Sequence, residues 1–208
     1  MRVISGTARG RKLKEPAGSE IRPTSDLVKE SVFNIIQFDI ESRRVLDLFA
    51  GTGQLGIEAL SRGARSSVFV DSKPEAVKLI WENLKISGFL DSASVYTRDA
   101  LRYLEGAHRI LRDPGGGSGQ KGDTGASGTG NPPGKDKFDL IFLDPPYETP
   151  LARRALAKII EFDKVNPNGI IICEMKADSW TPSVEPPYRL QKEYKYGTVK
   201  IARYERGI

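Results

Sequence analysis

From residue 45 onward, short apolar runs alternate with stretches whose apolar residues recur at helical spacing, and this alternation most constrains the fold. The pattern is typical of a parallel sheet with helices on both faces. Strands are predicted at 45–49, 68–71, 93–97, 138–143 and 169–175. Helices are predicted between Gly53 and Gly63, from Pro74 to Gly88, over 100–111 and over 150–162. A length of 208 residues suits one main α/β domain.

The C-terminal region carries a different pattern from this βαβα core. Residues 188–194 and 198–205 alternate polar and apolar side chains on either side of Gly197. Such alternation predicts an antiparallel hairpin, which we place at the edge of the sheet.

The N-terminal region predicts two small features. Residues 3–5 and 12–14 are expected to pair as a ribbon, and a cap at Thr24 or Ser25 is expected to start a helix. The apolar face of that helix comprises Val28, Val32, Phe33 and Ile36. We therefore divide the chain into a basic ribbon, 1–22, and a main domain, 23–208.

Residues 113–137 interrupt the βαβα pattern of the main domain. They are almost wholly Gly, Pro, Ser, Thr, Asn and charged residues, with no periodic apolar face. Such a composition cannot bury a core, so a flexible insertion is predicted. Its glycines do not sustain the strict triplet repeat of collagen.

Several classes of protein are excluded by what the sequence contains. The longest apolar runs have the length of strands, and the charged N-terminus lacks the apolar core of a secretory signal, so a cytoplasmic protein is expected. Cys173 is the sole cysteine and His108 the sole histidine. An internal disulfide is therefore impossible, and no metal site is expected.

Basic residues are concentrated in the first segment of the chain, although the net charge is only +5. Such clustering is typical of a surface that binds a polyanion, but an ordinary solvated basic surface would look the same. The basic residues of this segment are Arg2, Arg9, Arg11, Lys12, Lys14 and Arg22, and all but Arg22 are candidate polyanion contacts.

A glycine-rich turn, Asp47–Gly53, follows the first predicted strand. The carboxyl ends of parallel strands are where such sheets bind ligands, and glycine lets the backbone approach a cofactor closely. The turn lacks the full dinucleotide-binding pattern and a P-loop lysine. Because Asp47 would repel a pyrophosphate, the turn favours a cationic ligand such as S-adenosylmethionine.

Two more aspartates follow the next two predicted strands. Asp71 lies 18 residues after Gly53, where a carboxylate can accept hydrogen bonds from ribose hydroxyls. Asp99, with Ala100, is placed to contact an adenine amino group. Each aspartate alone would also fit a strand end or a helix cap, but their order along the chain favours a cofactor site.

The sequence Asp144–Tyr147, Asp-Pro-Pro-Tyr, directly follows a buried strand. It brings together a carboxylate, a carbonyl and an aromatic face, and its two prolines stiffen the loop. The Asp144 carboxylate and the Pro145 carbonyl would accept the two N–H bonds of a base amine, while Tyr147 stacks on the ring. A simple β-turn with a packed tyrosine is the alternative.

These motifs resemble class I S-adenosylmethionine-dependent methyltransferases, and more narrowly the RsmD-type 16S ribosomal RNA (guanine-N2)-methyltransferases of bacteria. The resemblance covers most of the chain. It rests on the segments 2–6, 9–13, 21–26, 46–53, 55–64, 144–147 and 196–197.

The resemblance implies a Rossmann-like, mostly parallel seven-stranded sheet with an antiparallel C-terminal hairpin. It implies a specific guanine of 16S ribosomal RNA as substrate, reached within a 30S subunit or an assembly intermediate, and we expect a monomer. Catalysis would involve Asp144, Pro145, Pro146 and Tyr147. Cofactor contacts would come from Arg22, Thr24, Asp47, Phe49, Ala50, Gly51, Thr52, Gly53, Asp71, Asp99 and Ala100, and the basic ribbon would hold RNA. The 113–137 insertion departs from the family pattern.

Other functions remain open on the sequence alone. Asp-Pro-Pro-Tyr also occurs in DNA adenine and cytosine amino-methyltransferases, although this length leaves no room for a separate DNA-recognition domain. A non-catalytic RNA-binding assembly factor on the same fold is a second alternative, disfavoured by the intact Asp47, Gly51, Gly53 and Asp144. The glycine pattern disfavours a nicotinamide oxidoreductase. Carbon-5 methylation of a pyrimidine would need a cysteine nucleophile, and Cys173 lies in a core-like run.

Overall fold

Seven strands and five helices make up the computed structural model, which describes residues 1–16, 26–106, 137–147 and 149–208. The strands are β1 (Arg44–Asp47), β2 (Ser66–Asp71), β3 (Ala93–Thr97), β4 (Phe138–Leu143), β5 (Val165–Lys176), β6 (Tyr188–Tyr196) and β7 (Val199–Arg206). The helices are α1 (Asp26–Ile35), α2 (Gln54–Ser61), α3 (Pro74–Ser87), α4 (Ala100–Leu104) and α5 (Leu151–Glu161), with a 3₁₀ turn at Leu90–Ser92.

All seven strands belong to one sheet, in the order β3-β2-β1-β4-β5-β7-β6. The first five pair in parallel, and β7 inserts antiparallel between β5 and β6. This confirms the predicted mostly parallel sheet with a C-terminal hairpin, whose turn contains Gly197 at φ +57°. The chain runs outward from β1 to β3 and then returns to β4 on the other side of β1. The crevice between β1 and β4 is therefore the topological switch point at which such sheets bind ligands.

Two apolar layers bury the two faces of the sheet. Helices α1, α2 and α3 contribute to one layer, and α4 and α5 to the other. Strand β4 supplies both, because Leu140 and Phe142 point to the first layer while Ile141 and Leu143 point to the second. Burial on both faces explains why the parallel strands were recognisable as continuous apolar runs.

The N-terminal segment is held against α2. Arg2 pairs antiparallel with Lys12. The first arm of the ribbon therefore pairs at residue 2, just before the predicted residues 3–5. The reason is a buried carboxylate: Glu58 accepts the backbone N–H of Ile4 at 2.8 Å and of Ser5 at 2.9 Å. These donors are consequently engaged with α2 rather than with the second arm of the ribbon.

The segment also shares the core of the main domain and is not a detached appendage. The side chains of Val3, Ala8 and Leu13 are buried in the same apolar layer as α1 to α3. The Lys29 ammonium, fully buried on α1, donates to the Arg2 carbonyl. The basic side chains of the ribbon thus project from a backbone fixed to α1 and α2.

Other element boundaries differ modestly from the predictions. Strand β1 ends at Asp47 rather than at residue 49, and β5 begins at Val165 rather than at residue 169. The predicted end of the fourth helix, most of the 113–137 insertion, His108 and the predicted cap at Thr24 or Ser25 lie outside the described residues. Across the described ranges, no helix has the length and apolar character needed to cross a membrane.

Candidate active site

A cavity of about 600 Å³ opens at the carboxyl ends of the parallel strands, over the switch point. It brings together residues that were predicted from three separate motifs. The predicted site residues that line it are Asp47, Phe49, Ala50, Gly51, Thr52, Asp71, Asp99, Ala100, Asp144, Pro145, Pro146 and Tyr147. Arg22 and Thr24 lie outside the described residues. Gly53 is not part of the lining.

The glycine-rich turn owes its path to two residues with positive φ. Gly51 has φ +52° and Gly53 has φ +77°, a region that side chains disfavour. Gly53 is the N-cap residue of α2, and an added Cβ there would lie 3.3 Å from Ile80 Cγ1. Gly53 therefore shapes the turn, whereas Gly51 belongs to the cavity wall.

Asp71 ties this turn to the end of β2. One carboxylate oxygen accepts the Gly51 N–H at 2.9 Å, and the other accepts the Lys73 N–H at 2.9 Å. Each oxygen keeps a further lone pair, so the carboxylate can still accept a ligand hydroxyl. Asp71 thus braces the turn and also lines the cavity.

Asp47 is the most buried carboxylate of the cavity wall, with 2% of its surface exposed. Its Oδ2 accepts the Gly56 N–H in the first turn of α2 at 2.9 Å. Burial raises the pKa of Asp47 to about 7, and the nearby Asp144 and Asp71 carboxylates add to this rise against the opposing Gly56 hydrogen bond. A cationic ligand would lower that pKa and stabilise the charged form.

Asp99 caps α4, as the alternative interpretation of this aspartate anticipated. Its exposed side chain accepts the Arg102 N–H at 3.0 Å, and Ala100 follows it in the cavity wall. Arg98, which sequence reasoning missed, also lines the cavity, and its N–H is bound to the Asp71 carbonyl at 2.8 Å. Its position directly after β3 was the available signal.

The Asp144–Tyr147 loop leaves the end of β4 and crosses the mouth of the crevice. Pro145 is buried, Pro146 is exposed and Tyr147 is half-buried. The Tyr147 hydroxyl donates to the carboxylate of Glu174 on the neighbouring strand β5. This bond fixes the tyrosine ring from its far end.

Glu174 is the second residue that sequence reasoning missed. It lines the cavity with only 5% of its surface exposed. Because Leu143 pairs with Cys173, Glu174 occupies the register position next to Asp144. A carboxylate that ends the apolar run 170–173 was the signal in the sequence.

Cys173 is buried in the opposite layer from Leu140 and Phe142. Burial raises the pKa of its thiol to about 12, and the Asp144 and Glu174 carboxylates contribute. A neutral, enclosed thiol is a poor nucleophile, which disfavours carbon-5 methylation. In the part of the chain that the structure describes, no cluster of three or more His, Cys, Asp or Glu could hold a metal ion.

Residues 1–111 and 121–205 match the sequence family described as conserved hypothetical protein 95. The chain belongs to this family. Relatives include a protein of Bacillus subtilis provisionally named rRNA methyltransferase YlbH, 37% identical over 206 residues and matched across 99% of both chains. The ribosomal RNA small subunit methyltransferase D of Haemophilus influenzae is 31% identical over 207 residues, covering 99% of this chain and 93% of its own. These relatives confirm the resemblance to the RsmD-type family.

Solved structures agree with the sequence comparison. A provisionally named methyltransferase, YhhF from Escherichia coli, superposes with a TM-score of 0.78 at 26% identity, covering 100% of this chain and 98% of that one. An RNA methyltransferase from Salinibacter ruber, solved with S-adenosyl-L-homocysteine, shares the fold with a TM-score of 0.59 at 14% identity, covering 89% of this chain and 94% of that one. The family fold is therefore the one predicted.

Proposed function

We propose that this protein transfers a methyl group from S-adenosylmethionine to the exocyclic N2 amine of one guanine in 16S ribosomal RNA. One observation carries the proposal: a single cavity is lined by both the Asp47–Thr52 part of the glycine-rich turn and the Asp144–Tyr147 loop. A cofactor at the first and a base amine at the second would therefore lie within reach of each other. Relatives named for methylation of small-subunit ribosomal RNA support the substrate class.

The cavity suits S-adenosylmethionine in size and in charge. Its volume of about 600 Å³ lies in the range of small-molecule sites. Asp47 would face the cationic part of the cofactor, Asp71 the ribose hydroxyls, and Asp99 with Ala100 the adenine. When bound, S-adenosylmethionine supplies a methyl carbon that the amine nitrogen takes as the carbon–sulfur bond breaks and sulfur keeps the bonding electrons.

The residues of the Asp144–Tyr147 loop would orient the guanine amine toward the methyl group. The Asp144 carboxylate and the Pro145 carbonyl accept the two amine N–H bonds, which directs the nitrogen lone pair toward the methyl carbon. Tyr147, fixed by Glu174, stacks on the guanine. Asp144 would also take up the proton that the amine loses as the new nitrogen–carbon bond forms. Rate acceleration then comes mainly from positioning and preorganised charge.

Cofactor affinity is expected to rise about tenfold from pH 6 to pH 8. In the free protein Asp47 has a pKa raised to about 7. At pH 6 the carboxyl group is therefore mostly protonated and must lose its proton when a cation binds, whereas at pH 8 it is already ionised. Isothermal titration with S-adenosylmethionine measures the trend. Asp47→Asn is the control, because it also reports any titration of the cofactor itself. Equal pH dependence in both proteins would contradict this role of Asp47.

The basic ribbon supplies the proposed grip on RNA. Arg2, Arg9, Arg11, Lys12 and Lys14 are all exposed. Two of them already have partners on α3: Lys14 pairs with Glu82 at 3.0 Å, and Arg11 donates to the Ile86 carbonyl at 2.7 Å. Because the ribbon backbone is fixed to α2, these side chains offer phosphates a defined surface.

The double variant Arg9→Ala/Lys12→Ala is expected to reduce the salt dependence of RNA binding. Each lost phosphate contact lowers the slope of log affinity against log salt by roughly 0.7–0.9, so the pair should lower it by about 1.5. Fluorescence anisotropy with a 16S RNA fragment, at salt concentrations from about 50 to about 200 mM, measures the slope of log affinity against log salt. Lys192→Ala/Lys195→Ala, two exposed lysines on β6, is the matched control. Equal slopes for all three proteins would count against the ribbon.

The substrate class is tested by labelled methyl transfer to undermethylated 30S subunits, naked 16S RNA and duplex DNA. We expect label in RNA, with the 30S particle preferred, from a monomeric enzyme that works in the cytoplasm. Label in DNA would indicate the DNA amino-methyltransferase alternative. Cofactor binding without transfer to any substrate would indicate a non-catalytic assembly factor.

A further inference from the structure

We infer that Trp180 forms a nucleobase-stacking platform beside the reaction centre, for the RNA nucleotide next to the target guanine. This inference rests on the proposed function and extends it to a second RNA contact. Trp180 follows β5 in the chain and belongs neither to the basic ribbon nor to the cofactor turn.

A second cavity, of about 140 Å³, lies on the other side of the Asp144–Tyr147 loop. The two cavities share Pro145, Pro146, Tyr147 and Glu174 as a common wall. Trp180 and Arg153 are among the residues that complete the smaller one. A group bound there would consequently touch the same loop that is proposed to hold the target base.

Trp180 is 64% exposed, although tryptophan has the largest side chain of any residue type. The Arg153 guanidinium carbon lies 5.6 Å from the centre of its ring. Single exposed apolar residues are common and need no explanation on their own. Here an exposed aromatic face, an arginine and a cavity at the reactive loop occur together.

The backbone around Trp180 is anchored while its ring remains exposed. On the preceding side, Ala177 N–H binds the Thr198 carbonyl at 2.9 Å, and the buried Lys200 ammonium donates to the Ser179 carbonyl. On the following side, the Tyr204 hydroxyl donates to the Pro182 carbonyl at 2.8 Å. The ring is therefore presented from a segment fixed to β7 on both sides, which lowers the entropic cost of binding.

The chemistry of the site favours RNA as the occupant. Arg153 and its neighbour Arg154 are both exposed, and so are the acids Asp178 and Glu193. Glu193 already accepts a hydrogen bond from Thr181 and pairs with Lys200. Sequence-specific proteins bind unpaired RNA bases by stacking them on aromatic rings or guanidinium planes. When a guanine is flipped out of the RNA stack, the adjacent base on the same strand loses a stacking partner. Trp180 would replace the lost stacking, and Arg153 would pair with a phosphate.

Trp180→Ala is expected to raise KM for the RNA substrate at least fivefold, since aromatic stacking contributes that much per base or more. The cofactor Kd should not change, and Trp180→Phe should retain most of the affinity. Phe38→Ala is the matched control, because Phe38 is 92% exposed and does not line either cavity. In a Trp81→Phe background, the fluorescence of Trp180 should be quenched on addition of RNA.

The outcomes separate this inference from the proposed function. If the wild type methylates RNA and Trp180→Ala has the same KM, with no quenching of Trp180, the platform is overturned and the proposed function stands. If the wild type methylates no RNA, the proposed function fails first. A raised KM in Trp180→Ala with a melting temperature like that of the wild type supports the platform, and an equal rise in Phe38→Ala overturns it.

Discussion

Replacement of Asp144 by asparagine is expected to lower kcat for methyl transfer by about 10²- to 10³-fold, the usual cost of removing one oriented polar group from a reaction centre. The variant keeps the size of the side chain and leaves the glycine-rich turn intact. Asparagine, however, removes a negative charge from the amine and turns half of the acceptor into a donor. Single-turnover methyl transfer at saturating cofactor measures the loss.

Two controls make this result specific to the chemistry. The affinity of Asp144→Asn for S-adenosylmethionine should stay within a few-fold of wild type, as measured by titration calorimetry. Asp91→Asn, which alters an exposed aspartate in the 3₁₀ turn, should react at the wild-type rate. If Asp144→Asn kept full kcat, the carboxylate would not orient the amine, and the proposed mechanism would be wrong.

Asp47→Asn is expected to change affinity and stability in opposite directions. At pH 8 it should weaken S-adenosylmethionine binding at least about thirtyfold, because a buried charged partner of the cofactor is lost. The same change should raise the free energy of unfolding. The folded-state pKa of Asp47, about 7, exceeds its ordinary value of 3.8, so ionisation above pH 7 destabilises the folded protein by roughly 4 kcal/mol at most. Asparagine removes this cost and can keep the Gly56 hydrogen bond.

The pH dependence of stability fixes the sign of this second prediction. The cost is absent below pH 3.8, grows as the pH rises toward 7 and then stays constant, so the gain from Asp47→Asn should be visible at pH 8 and shrink toward pH 5. Urea unfolding of the free protein at both values measures it. Asp91→Asn is again the control. A variant that binds the cofactor normally, or loses stability at pH 8, would contradict the assigned environment of Asp47.

The sequence predicted most of the fold because the informative residues are local. Pro74 and Gly88 bound a helix that the structure has at Pro74–Ser87, and residues 140–143 of a doubly buried strand are all apolar. Strand ends were less certain. Strand β5 begins at Val165 despite Pro167 and Gly169, because Val165 already pairs with Phe138 of β4 ahead of a register shift, and regular pairing with β4 and β7 starts at Ile170.

The candidate site was predictable where chemistry and strand ends coincide in the chain. Asp47, Asp71, Asp99 and Asp144 each follow or end a parallel strand, so the topology alone brings them to one edge. Partnerships between distant residues were not predictable. The bond of Tyr147 with Glu174, the bond of Glu58 with the ribbon backbone and the approach of Trp180 to the loop depend on tertiary packing between residues 27 to 54 positions apart in the chain.

The identity of the methylated nucleoside is the most direct test of methyl transfer to the N2 amine of guanine. Undermethylated 30S subunits would be incubated with the enzyme and labelled S-adenosylmethionine, and the RNA digested to nucleosides and analysed by mass spectrometry. We expect N2-methylguanosine as the product, formed about 10²- to 10³-fold more slowly by Asp144→Asn. A different methylated nucleoside, or N2-methylguanosine formed equally well by Asp144→Asn, would contradict it.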